Sequence, residues 1–167
     1  MEAERLIATG RHALAESRVA LDIVAEAWQA QTLAQAIGSH LALCGPMELR
    51  SEARGLSEIG GGRAVVEHPA LRTGGPRAAQ LTTLGDARAA LTALGALLGE
   101  VGIALVGVAC ATDEEGLYWQ CIEAIDAADE AGDRVRAMLR RLAVRERERE
   151  RDRPPDPARG RAGPGPR

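Results

Sequence analysis

AALTALGALLGEVGIALVGVACA, residues 89–111, contains a single charged side chain, Glu100. A run this long and apolar has two readings. It can cross a bilayer, which takes about 20 apolar residues. It can also be the central helix of a bundle in water, where a helix with neighbours on most sides is apolar all round. Three features favour the bundle. Ala and Gly dominate the run, the flanking segments are amphipathic as partners in water should be, and Glu100 sits at its centre. A carboxylate at mid-bilayer costs about 2.5–3.5 kcal/mol. The expectation is an all-α antiparallel helical bundle of three long helices and one short helix, with membrane association not expected.

Two details of the run ask for explanation. Gly95, Gly99 and Gly102 fall at i, i+4 and i+7, on one stripe, where small residues let another helix approach closely. Each costs about 1 kcal/mol of helix propensity relative to Ala, so close packing is the reason to expect them. Glu100 either escapes to a narrow exposed strip or is a buried carboxylate awaiting an Arg, a ligand or a proton. It is the candidate buried carboxylate of the chain.

Working outward, residues 2–43 read as one long helix. Leu14, Leu21 and Trp28 recur every seven residues, and Val19, Ile23, Ile37 and Leu41 form a second apolar line. Gly45-Pro46 stops it, and Pro46 can open a short helix over about 46–59. The stretch IGGGRAVVEHPALRTGGP (59–76) reads as an irregular connection, unusually long for a compact domain. Pro76 is then expected to open a third helix over 77–111. A fourth, capped by Thr112 and Glu115, is expected over about 113–148. The bundle domain is thus 1–148, and 149–167, ending in PPDPARGRAGPGPR, is expected to be a disordered tail.

Composition limits the function classes. The 167 residues suit one domain with a real core. With 2% aromatic residues and no Phe, that core must be Leu, Val, Ile and Ala. All 21 basic residues are Arg. Residues 1–133 carry 9 Arg against 19 acids, a charge of −10, whereas 134–167 carry 12 Arg against 5 acids, +7. A basic end on an acidic body can dock on an acidic surface or simply stay solvated. The repeat RERERERDR (145–153) interleaves its acids with its arginines, which extends a solvated helix and does not suit nucleic acid. Three cysteines without framework spacing and a charged N-terminal stretch fit a reducing cytoplasm.

Catalytic and metal signatures are missing. GxxxxGK[ST], GxSxG, HExxH and CxxC do not occur, nor do the Glu-x-x-His pairs of di-iron bundles. No cofactor is expected. The stretch CATDEEGLYWQCIEAIDAADEAGD (110–133) looks chemical at first, but most of it has ordinary explanations. Asp113, Glu114 and Glu115 suit the first turn of a helix, facing the positive end of its dipole. Leu117, Cys121, Ile125, Ala128, Val135, Leu139 and Leu142 make a core seam. Opposite it lie Asp126, Glu130 and Asp133. Trp119 falls on that acidic side, about 160° from the seam at 100° per residue, which is out of place for a core residue. Trp119, Tyr118, Ile122, Asp126 and Glu130 therefore form the candidate interaction surface. Cys110 and Cys121 flank a helical turn and form a candidate redox pair, if their Cα atoms come within about 7 Å.

The blocks DIVAEAWQAQTLAQAIG (22–38) and LGEVGIALVGVACATDEEGLYWQCIEAIDAADEAGDRV (98–135) resemble a family of short helical proteins from high-GC actinobacteria of the Streptomyces type, a domain of unknown function. The resemblance covers most of residues 1–145 and brings no reaction or ligand. It implies a bacterial, cytoplasmic setting. The leading expectation is a non-enzymatic protein acting through protein–protein interaction or self-assembly. The alternative is a small-molecule or metal-binding bundle using Glu100 and the acidic cluster at 113–133.

Overall fold

The computed structural model describes residues 1–59 and 75–153. Five α-helices build it: α1 (Ala3–Glu16), α2 (Ala20–Cys44), α3 (Arg50–Glu58), α4 (Ala87–Ala111) and α5 (Glu115–Arg151). Short 3-10 turns at Met47–Leu49 and Arg77–Gln80 lead into the segments after them. Among the described residues there is no strand, only one isolated bridge between Glu2 and Thr83. The chain is an all-α bundle, as its composition requires.

The expected single helix over 2–43 is two helices. Ser17 ends α1 with an extended backbone, and its N–H and hydroxyl both donate to the Ala13 carbonyl. Val19, also extended, starts α2 with no side-chain cap. A hydroxyl competing for main-chain bonds and a β-branched residue together explain the break. The break also shifts the helical phase. Leu14 and Trp28 are buried, but Leu21, between them in the heptad, is 59% exposed.

The expected third helix over 77–111 is shorter, and Pro76 opens only a 3-10 turn. Residues 81–86 are not helical, and Met1 and Ala3 pair with Thr82 and Thr83 through main-chain bonds of 3.0 Å. Gly85, at φ +71°, turns the chain, and the Asp86 carboxylate then accepts from the Ala89 N–H at 2.7 Å as the cap of α4. The Thr112–Glu115 capping box does not form. Thr112 ends α4 through its N–H to the Val108 carbonyl, and its hydroxyl accepts from the Glu114 N–H at 3.1 Å. The turn is too short for one residue to end α4 and box α5 as well. At the other end α5 continues to Arg151, so residues 149–151 of the expected tail are helical. The irregular connection at 60–74 and the tail from 154 onward lie outside the described residues.

α4 and α5 form an antiparallel hairpin with the most extensive contact of any helix pair. Its seam is heptad-spaced on both helices. Leu91, Leu94, Leu98, Val101, Leu105 and Val108 on α4 meet Cys121, Ala124, Ala128, Ala131, Val135 and Met138 on α5, all buried. The α5 seam is rotated from the expected one: Leu117, Ile125, Leu139 and Leu142 are only half-buried at its edge. Small residues at its centre let the two helices sit close. α2 packs against α1, α3 and α4. At Gly38 a Cβ would meet the Ala53 carbonyl and Ser57 nitrogen of α3 at 2.8 Å, so glycine there permits a backbone-to-backbone crossing.

Ion pairs tie the helices together at the surface. Glu52 on α3 accepts from Arg134 at 3.1 Å and Arg141 at 3.0 Å, both on α5, and Glu48 accepts from Arg145. Arg88 on α4 reaches Glu146 on α5.

Candidate functional site

Glu100 is not buried. Its side chain is 40% exposed and receives a forked contact from Arg11 of α1, with Nε 3.0 Å from both carboxylate oxygens. That hydrogen bond, with the positive charge behind it, holds the Glu100 carboxyl below the ordinary value of 4.5 despite opposing desolvation. The apparent mid-helix oddity is a surface pair joining α4 to α1.

Cys110 and Cys121 are both free thiols in different surroundings. Cys110 is exposed in the last turn of α4. Cys121 is in the α4–α5 seam at its turn end, where burial pushes its thiol pKa up and keeps it protonated. The helical hairpin leaves one of these thiols in solvent and the other in the core. Neither thiol is in a disulfide.

Trp119 lies on the outside of α5 at 55% exposure, against the exposed Tyr118, with ring centroids 5.4 Å apart in an edge-to-face arrangement. Ile122 beside them is half-buried. Asp126 and Glu130 are exposed one and two turns further on, with Arg134 3.9 Å from Glu130. The carboxylates of 113–133 run along one helix. Among the described residues no three His, Cys, Asp or Glu side chains converge as a cation cage.

Of the clefts among the described residues, two adjoin α5 and a neighbouring helix. One of about 700 Å³ lies between α3 and α5, where Glu48, Glu52, Arg141 and Arg145 already pair with one another. The other, about 440 Å³, opens between the start of α2, the second half of α4 and the start of α5, lined by Ala20, Ile23, Ala104, Gly107 and Leu117. It is apolar apart from Arg18 and Thr112.

The outer side of α4 departs from the expectation for a central helix. The apolar run was expected to be buried on most faces, yet only a third of its most apolar 18 residues is buried. α4 carries a second seam, Thr92, Ala96, Gly99, Ile103, Val106 and Cys110, all exposed. Its 4-3-4-3-4 spacing mirrors the inner seam about 160° around the helix. Ile103 is 78% exposed and Val106 49%. A Cβ added at Gly99 or Gly102 would meet no described residue within 4 Å, whereas one at Gly95 would touch Val135 of α5 at 3.4 Å. The glycine stripe thus does two jobs: Gly95 serves the hairpin, and Gly99 and Gly102 border open space. The signal was legible in the sequence as a second heptad line hidden inside a run that is apolar throughout.

By length and composition α4 could cross a bilayer. Its inner seam closes the core against α5 and α2, and extracting it into lipid would strip that core.

No curated protein and no solved structure matches the chain. The family DUF6099, a family of unknown function, matches residues 1–141, and the chain belongs to it.

Proposed function

We propose that the protein is a non-enzymatic assembly module that works by contact between helical surfaces. The observation that carries this reading is the outer seam of α4. It is five turns of helix with no charge in the seam, and Ile103 and Val106 stand out into solvent. Heptad-spaced apolar residues are what one helix presents to another. An exposed apolar surface on this scale marks contact with a partner. The aromatic pair Tyr118–Trp119 adds a second place where a large side chain stands uncovered, and Trp is favoured at interface anchors.

Native mass spectrometry of the purified chain tests the reading, since one spectrum reports subunit number and any retained ligand. The expected result is a multimer with no added mass. A monomer at high micromolar concentration carrying a stoichiometric small molecule or metal would overturn it in favour of a ligand-binding bundle.

A further inference from the structure

We infer that the outer face of α4 is covered by a second copy of this chain, laid antiparallel about a two-fold axis beside Val101. This inference rests on the self-association reading above and adds the partner, the direction and the register.

The first argument is the order of side-chain sizes along the seam. Its six positions are symmetric in number about residue 101: 92 with 110, 96 with 106, and 99 with 103. Their sizes are not symmetric. The small residues Thr92, Ala96 and Gly99 occupy the first half, and Ile103, Val106 and Cys110 the second. In an antiparallel pair each position meets its counterpart across the axis. Ile103 then enters the open space over the partner's Gly99, and Val106 meets the partner's Ala96. A parallel pair would set Ile103 on Ile103 and Gly99 on Gly99, crowding one end and leaving a void at the other. From Thr92 to Cys110 the seam advances five whole turns, about 27 Å, so it runs straight along the helix and needs no supercoil.

Charge gives an independent argument for the same direction. α5 runs antiparallel beside α4, with Gly95 level with Val135 and Arg88 bonded to Glu146. The first half of α5, 115–133, carries six acids and no Arg. Its second half, 134–151, carries eight Arg against three Glu. The acidic half therefore accompanies the second half of α4 and the basic half the first. Turning a second copy end for end sets acid against base on both sides of the axis, while a parallel copy sets like against like. Glu100, one residue from the axis, is already neutralised by Arg11 and does not oppose its counterpart. A two-fold axis also closes the assembly at two subunits, because each copy has one such face.

Cysteine cross-linking reads the register. The protein is prepared as Cys44→Ser, leaving Cys110 as the exposed thiol, with and without Thr92→Cys, and both forms are oxidised with copper–phenanthroline at a concentration where sedimentation shows the assembled state. The antiparallel dimer predicts rapid cross-linking only with Thr92→Cys, and peptide mapping should join the introduced thiol to the partner's Cys110. A size swap checks it without new thiols. Gly99→Val should weaken association at least tenfold, and adding Ile103→Ala should recover most of that loss, since the two positions face each other. Cross-linking of Cys110 to Cys110 without Thr92→Cys means a parallel pair and overturns the register while leaving self-association standing. A dimer that cross-links in neither form and ignores both seam substitutions uses another surface and also overturns the inference. A chain that stays monomeric at high micromolar concentration removes this inference together with the reading it rests on.

Discussion

Gly38 on α2 and Gly99 on α4 are both glycines inside 25-residue helices, and the fold treats them in opposite ways. Over Gly38 lies the backbone of α3, close enough that a single added carbon would clash at 2.8 Å. Over Gly99 no described residue comes within 4 Å. A helical glycine costs stability wherever it sits, and only a close neighbour returns that cost. At Gly38 the neighbour is in the same chain. At Gly99 no described residue returns it, and this asymmetry is what the proposed contact with a second copy would explain.

The comparison can be broken by measuring both faces of one helix. On the inner face, Leu105→Ala removes a fully buried side chain from the hairpin seam and should cost about 3 kcal/mol in urea unfolding. Ile103→Ala, two residues away on the outer face, should change monomer stability by less than about 0.5 kcal/mol. Equal losses would mean that α4 is covered on both sides within one copy. Gly38→Ala comes next. The added methyl must push α2 and α3 apart, for a cost of about 2 kcal/mol and a fall in Tm of about 4–8 °C. Gly99→Ala should do the reverse in dilute, monomeric protein, stabilising it by about 0.5–1 kcal/mol through helix propensity alone.

Thiol labelling sharpens the same contrast. Cys44 and Cys110 should react readily in the native protein and Cys121 only on unfolding, because its thiol is buried and held protonated. Raising the protein concentration should slow labelling of Cys110, which lies in the outer seam, and leave Cys44 unchanged. The smallest effect is electrostatic. Arg11 lowers the Glu100 carboxyl below its ordinary value, so the pair contributes stability that is fully present above about pH 4.5 and is lost as pH falls through the depressed value. Glu100→Gln should therefore lower Tm at neutral pH by no more than about 2 °C and flatten its decline in acid.

Much of the bundle was readable from periodicity. The hairpin of α4 and α5, the stop at Gly45-Pro46 and the core role of Cys121 all follow from spacing and cap chemistry. The break at Ser17–Val19 was not readable, because the apolar heptad continues through it and only packing shows that Leu21 has left the line. The late start of α4 was signalled by Gly85-Asp86, a turn followed by a cap, but Pro76 offered an equally good opening upstream. Glu100 was conspicuous as the lone charge in its run, yet its partner lies 89 residues away on α1. No local pattern links them. The outer seam was hidden for the opposite reason: in a stretch where nearly every residue is apolar, hydropathy cannot say which face is covered.

The most direct test of the account is sedimentation velocity of the intact protein across a hundredfold range of concentration, beside Ile103→Asp. An exposed aspartate cannot disturb the monomer's core, but it places a charge in the middle of the outer seam on both copies. The account predicts that the unaltered chain shifts from monomer to dimer as concentration rises, while Ile103→Asp stays monomeric with unchanged helicity. Identical sedimentation of the two proteins at every concentration would contradict it.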